Sequence, residues 1–187
     1  MPTSYEPLFR LIAGLGNPGR EYEHTRHNAG FMIVDRLAQR AGVSFRIEPK
    51  WNAEIALTGG LILCKPRSFM NLSGEPLAAV AHFYKIPPAG TLAIFDDAAL
   101  PLGRIRIRPG GSSGGHNGME SILQLVGDIP RLRIGIGAAD GRPMVQHVLG
   151  KFLPDERPVL GEAIDRAIQA IDCLQLNGIN AAMNQFN

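Results

Sequence analysis

Two cysteines in 187 residues are too few for a disulfide framework, and Cys64 and Cys173 stand apart, without the C-x-x-C spacing of a zinc ribbon. Reduced core thiols are expected. Excess charge is also lacking: 19 Lys+Arg against 17 Asp+Glu leave a formal charge of +2. A nucleic-acid partner would therefore have to be met by a local cluster of arginines. No apolar run approaches the length of a membrane span, and Met1–Arg10 lacks the basic start and apolar stretch of a signal peptide. A cytoplasmic chain with no membrane partner is expected, in which the sequon Asn71-Leu72-Ser73 would go unmodified. With 45% hydrophobic and 19% charged residues the composition excludes a disordered chain. The length suits one compact core, a single domain over 1–187.

Phe9–Leu15 is a short apolar run ending beside glycine, which predicts a buried strand. A polar loop then leads to Ala29–Ala41, where Phe31, Val34, Leu37 and Ala38 recur at helical spacing before Gly42. Glu54–Leu57 and Leu61–Cys64 flank Thr58-Gly59-Gly60, the signal of a tight antiparallel hairpin. Pro76 suits a first helical turn, Leu77, Val80, Ala81 and Tyr84 supply an apolar face, and Pro87-Pro88 stops the helix. Thr91–Phe95 reads as a strand. Gly103–Arg108 alternates arginine with isoleucine, so a strand there puts Ile105 and Ile107 on one face and Arg104, Arg106 and Arg108 on the other. A Gly/Ser-rich loop, Pro109–Gly118, leads to a helix through Val126, Arg131–Gly137 is another strand, and Asp155–Leu176 is the longest helical pattern. A break at Gly178 and a short tail follow. The fold class expected is α/β, one compact domain with a twisted mixed sheet flanked by helices.

Two motifs suggest functions that their surroundings do not support. Gly14, Gly16 and Gly19 have the G-x-G-x-x-G spacing of a dinucleotide site, but Pro18 interrupts the motif and the helix starts about ten residues late. The acid at roughly the right distance, Asp35, lies within that helix and not at the end of a second strand. Gly111-Ser112-Ser113-Gly114-Gly115 is formally G-x-S-x-G, with Asp128 or Asp140 and then His147 following in hydrolase order. A nucleophile elbow needs a strand directly before it and a helix directly after, and Pro109-Gly110 and further glycines occupy those places.

The side chains remaining at strand ends and in loops are Asn17, Asn28, Asn71 and Asn117, with His27, His116 and Asp96. They fit acyl chemistry without a covalent nucleophile: histidine can deprotonate water, a carboxylate can fix its tautomer, and carboxamides can donate to an oxyanion. Each asparagine alone is equally at home in a turn. Asp97 could serve in place of Asp96. His24 and His27 lack a third metal ligand and the H-E-x-x-H pattern is absent, so no metal is expected.

The blocks "GLGNPGREYEHTRHNAGF", "KPRSFMNLSG", "FDDAALPLG" and "GGSSGGHNG", followed by "RLRIGIG", resemble the bacterial peptidyl-tRNA hydrolase family, in that family's order along nearly the whole chain. The resemblance implies an enzyme that cleaves the ester between a peptide and the terminal ribose of tRNA, without a cofactor, as a monomer with no obligate protein partner. It implies His27 as general base and Asp96, rather than Asp97, as the group that stabilises its basic form. By the same resemblance Asn17 distinguishes blocked from free aminoacyl groups and Asn71 and Asn117 bind the peptide and carbonyl region, with Asn28 in support. Tyr22 and Phe69 contact substrate near the ester, although as residues they read equally well as half-buried core aromatics. Arg106, Arg108 and Arg133 match basic positions near the acceptor stem and its terminal phosphate. The chain departs from the pattern at Ala98-Ala99, where the family usually carries an acid, which predicts looser bonding around Asp96, and in a short Gly127–Pro130 loop. Two rivals are a non-hydrolytic RNA-binding protein, since plant relatives of the family serve in RNA splicing, and a serine hydrolase acting through Ser113.

Overall fold

A computed structural model describes residues 7–187; the first six residues of the Met1–Arg10 stretch lie outside the described residues. Seven strands, β1 (Leu11–Gly14), β2 (Arg46–Glu48), β3 (Ala53–Thr58), β4 (Leu61–Pro66), β5 (Thr91–Asp97), β6 (Ile105–Arg108) and β7 (Arg131–Gly135), form one sheet in the order β2-β3-β4-β1-β5-β7-β6. The pairs β4–β1, β1–β5 and β5–β7 are parallel, while β2–β3, β3–β4 and β7–β6 are antiparallel. The expected mixed sheet is present, and its antiparallel pairs lie towards the two edges. Between β3 and β4 the turn narrows to Gly59-Gly60, with φ of 53° and 82°, the two successive positive values that a tight hairpin turn needs.

Among the described residues five α-helices complete the fold: α1 (Ala29–Ala41), α2 (Gly74–Phe83), α3 (Asn117–Leu125), α4 (Met144–Val148) and α5 (Glu156–Phe186). Alternation along the central strands divides the core into two layers. Ile12, Leu92 and Ile94 pack with residues of α1 and α5, whereas Leu11, Ala13, Ala93 and Phe95 pack with residues of α2 and α3. On β6, Ile105 and Ile107 are buried and Arg106 and Arg108 exposed, as the alternation predicts; Arg104 lies just before the strand.

The chain after Gly178 is not a short tail. Gly178 leaves helical geometry (φ 84°, ψ 173°), but helix resumes to Phe186, because Ala182 and Phe186 have apolar surface to bury. The kink turns this last segment back to the sheet, where the Asn187 carboxamide accepts from Ile107 N (2.7 Å) and donates to Ile107 O (3.1 Å). An open edge of β6 is thereby paired.

The glycines of the opening motif serve close approach. A Cβ on Gly14 would lie 2.3 Å from Gly30 O, and one on Gly30 would lie 2.3 Å from Ile94 O. The first turn of α1 therefore presses directly onto β1 and β5, which brings the turn before it, Arg26–Asn28, over the C-terminal ends of the parallel strands. Ligands of open α/β sheets bind at those ends. No helix among the described residues is long and apolar enough to cross a membrane.

Candidate active site

His27 sits in the 3-10 turn Arg26–Asn28, and Asp96 stands near the end of β5. The His27 Nδ1 lies 2.9 Å from both carboxylate oxygens of Asp96. The Asp96 side chain is 2% exposed and that of His27 12%. A second imidazole meets the same carboxylate, with His116 Nε2 3.0 Å from Asp96 Oδ1. His116 is the N-cap of α3, and its Nδ1 accepts from Met119 N at 3.2 Å. Since Nδ1 accepts, the proton of neutral His116 is on Nε2 and points at Asp96.

Burial by itself would raise the Asp96 carboxyl. The two histidines, His116 ahead of His27, outweigh burial and hold it well below the usual carboxylate range. An ionised Asp96 takes the Nδ1–H of His27, which leaves the Nε2 lone pair without a partner among the described residues and facing a cavity. Asp97 lines the same cavity but is bonded to other groups: it accepts from Ala99 N (2.8 Å) and from Arg133 Nη1 (2.9 Å). Beside Ala98-Ala99, Asp96 is in contact with both His27 and His116.

The cavity, of about 470 Å³, is lined by His27, Asp96, Asn117 and Arg133, the Gly/Ser loop at 113–115, and an apolar wall of Met144, Val145 and Val148 from α4. Asn117 is the first residue of α3, so that helix presents its N-terminal amides and the positive end of its dipole to the same space. Asn17 and Asn28 line a neighbouring cavity of about 260 Å³, so the turn bearing His27 stands between the two. The Asn28 carboxamide accepts from Asn17 N (2.9 Å) and donates to Asn17 O (3.0 Å), which fixes the Asn17 backbone. Asn17 Oδ1 accepts from Met70 N at 2.8 Å, and its Nδ2 has no bond among the described residues.

Asn71 follows Met70 in the 3-10 turn Met70–Leu72, exposed, and Asn17 thereby anchors its turn. Tyr22 and Phe69 meet edge to face at 6.4 Å between centroids, with Phe69 58% exposed. These three line neither cavity. Arg106 lies beside Arg133 in the β6–β7 register, and Arg108 beside Arg131. Arg133 is paired with Asp97, whereas Arg104, Arg106 and Arg108 have no ion pair among the described residues.

His27, Asp96 and His116 are the described residues whose ligand atoms gather closely enough to hold a metal ion, within 4.8 Å of one another. The donor set does not suit one. A neutral imidazole bound through Nε2 carries its proton on Nδ1, and the Nδ1 of His116 faces the N–H of Met119. The serine-hydrolase arrangement is not assembled either. Ser113 Oγ accepts from Gly115 N, Asp128 is bonded to Gly111 N and to Arg131, and His147 Nε2 donates to Gly137 O. Cys64 is buried, and burial, with Glu54 nearby, pushes its thiol up to about 12.

Sequence reasoning grouped His116 with the site residues but assigned it no role, and it passed over α4. Both left a signal: His116 immediately precedes a helical pattern, where a capping acceptor belongs, and Pro143 before Met144-Val145 can open a helix.

Comparison with known proteins gives consistent matches along nearly the whole chain. The model of the family described as peptidyl-tRNA hydrolase matches residues 11–187. A "Peptidyl-tRNA hydrolase" from Caldanaerobacter subterraneus is 50% identical over 182 residues, covering 95% of this chain and 98% of that protein. One from a Synechococcus strain is 48% identical over 189 residues, covering 97% and 84%. A crystal structure of peptidyl-tRNA hydrolase from Acinetobacter baumannii superposes with a TM-score of 0.91 at 38% identity, covering 97% of this chain and 95% of that one.

Proposed function

The chain belongs to the peptidyl-tRNA hydrolase family and is a hydrolase of peptidyl-tRNA; from that premise we propose how its own residues perform the reaction. The observation that carries the proposal is the bond from His27 Nδ1 to Asp96 at 2.9 Å, with Nε2 left open to the cavity. Asp96 fixes His27 in its Nδ1–H tautomer, and Nε2 takes a proton from water as the water attacks the ester carbonyl. The tetrahedral oxyanion is met by the Asn117 carboxamide and amides at the α3 N-terminus, and Asn17 Nδ2 donates to the acyl side. His27 then returns its proton to the ribose oxygen as the C–O bond breaks, giving tRNA and a peptide carboxylate. His27, Asp96 and the carboxamides supply base, tautomer and donors, so no step calls on a metal, a cofactor or an acyl-enzyme.

Asn71 and the aromatic pair Tyr22–Phe69 hold the substrate around the ester, where an exposed ring can stack on a base or ribose. Asn28 acts through Asn17. Arg106, Arg108 and Arg133 contact phosphates of the acceptor stem, and contacts of that kind position tRNA without reading its sequence. We infer a monomer acting in the cytoplasm without a protein partner, as the family resemblance implies.

Incubation with an N-blocked aminoacyl-tRNA, following ester cleavage for wild type, His27→Ala and Ser113→Ala, tests the assignment. Loss with His27→Ala and retention with Ser113→Ala is expected. Loss with Ser113→Ala alone would overturn the mechanism, and tRNA binding without cleavage by the wild type would favour the RNA-binding rival.

A further inference from the structure

Arg26 stands next to the proposed base in "TRHN", yet its side chain faces away from the reaction and is 2% exposed. Its Nη1 donates to Lys151 O and its Nη2 to Glu156 Oε2, both at 2.6 Å. The backbone joins the same contact: Arg26 N donates to Gly150 O at 2.9 Å, and Thr25 and Lys151 form an antiparallel bridge. The guanidinium carbon lies 5.2 Å from the centroid of the Phe152 ring. Glu156 Oε2 also accepts from Leu153 N at 2.7 Å, so one carboxylate ties both the arginine and the entry to α5. Gly150 leaves room for this, since a Cβ there would lie 3.1 Å from Gln146 O and 3.3 Å from Arg26 Nη1.

These bonds have a consequence for His27. Its 3-10 turn is three residues long and has no side-chain cap, Thr25 Oγ1 donating instead to Tyr22 O. The turn is therefore fixed by its flanks. On one flank Asn28 grips the Asn17 backbone; on the other Arg26 grips residues 150–156, the segment that joins α4 to α5. Met144, Val145 and Val148 of α4 form the apolar wall of the cavity into which His27 faces. A guanidinium so fully withdrawn from water is costly to bury and needs its carboxylate. The pair thus links base and wall in a single geometry, and a small displacement of a reacting group is expensive in rate.

We propose that Arg26 and Glu156 are a positioning pair for the hydrolysis, holding His27 in register with Asp96 and with the α4 wall. The proposal rests on His27 being the base. Loss of the pair lowers kcat and leaves the tRNA contacts in place.

The test is steady-state cleavage of an N-blocked aminoacyl-tRNA by Arg26→Met, Glu156→Gln and the double variant. Thermal melting and ¹⁵N NMR of the His27 ring are measured alongside. A fall in kcat of about 10- to 100-fold is expected for Arg26→Met, with KM within about twofold and a changed His27 ring signal. The double variant should fall no further than Arg26→Met, because the two residues act as one unit. Glu156→Gln keeps an oxygen for Leu153 N and serves where Arg26→Met does not fold. A kcat within about twofold of wild type, or an unchanged His27 signal, would make the pair merely structural and overturn the proposal, whatever happens to the melting temperature. His27→Ala in the same series separates the two claims: if it stays active the base assignment fails, whereas wild-type-like Arg26→Met beside inactive His27→Ala removes the positioning claim alone.

Discussion

Replacing Asp96 by asparagine changes one oxygen to an NH₂ group with almost no change of shape, and the structure dictates which histidine suffers. Two ring N–H groups converge on Asp96: His116 Nε2 on Oδ1, and His27 Nδ1 shared between Oδ1 and Oδ2. An asparagine offers one acceptor oxygen. His116 cannot reverse its tautomer without turning an N–H against Met119 N, because its Nδ1 is the acceptor of that amide. The single oxygen therefore goes to His116, and the NH₂ faces His27 Nδ1 from the Oδ2 position. His27 must then accept on Nδ1 and carry its proton on Nε2, where the lone pair for water is needed. Removing a general base costs about 10²- to 10⁴-fold in rate, about 2.7–5.4 kcal/mol of transition-state stabilisation. Single-turnover cleavage of an N-blocked aminoacyl-tRNA measures the loss, and ¹⁵N shifts of the His27 ring report the tautomer. A rate within about threefold of wild type would refute the reasoning. So would a slow variant whose His27 still carries its proton on Nδ1.

Other consequences can be measured separately. The folded Asp96 carboxyl lies below its unfolded value of about 3.9, so its ionisation contributes stability that is present above that pH and lost as the pH falls through the folded pKa. The stability gap between wild type and Asp96→Asn, taken from denaturant melts, should accordingly narrow as the pH drops from about 5 towards 2; a gap that stays constant would contradict the electrostatic account. Arg106→Ala with Arg108→Ala should weaken tRNA binding across tRNA sequences alike. It should also flatten the plot of log affinity against log salt by about 0.7–0.9 for each phosphate that the arginines no longer neutralise, and an unchanged slope would place the tRNA elsewhere. Gly30→Ala puts a methyl group 2.3 Å from Ile94 O. Overpacking of this kind costs about 1–3 kcal/mol or more, visible in urea unfolding, and a neutral substitution would show that α1 does not need its close approach.

Much of the fold was legible because the strong periodicities are local. The Arg/Ile alternation of 104–108, the Gly59-Gly60 turn and the apolar face of 29–41 each carry their own signal. What was not legible depends on partners distant in sequence. The helix after Gly178 looked like a tail because it is short and follows a glycine break, although Ile179, Ala182, Met183 and Phe186 stand at helical spacing; it forms because Ala182 and Phe186 reach the core. Strand β2, three residues long and mostly exposed, exists through its pairing with β3. At the site, polar residue types pointed to His27 with Asp96 or Asp97, and the family resemblance chose Asp96. The capping place of His116 was visible, but its bond to Asp96 and the buried ion pair of Arg26 were not, since Asp96 and Glu156 meet these side chains only when the chain is folded. The glycine spacing of "GLGNPG" suggested a nucleotide site; Gly14, with Gly30, instead serves the packing of α1 against the sheet.

The measurement that bears most directly on the central claim compares His27→Ala with wild type in two readouts on one substrate, the single-turnover rate of ester cleavage and the dissociation constant for tRNA. If His27 activates water and the arginines hold the tRNA, the rate should fall by about 10²-fold or more while the dissociation constant stays within about threefold of wild type, or about 0.6 kcal/mol. A His27→Ala protein that cleaves at the wild-type rate would contradict the account, whatever its affinity.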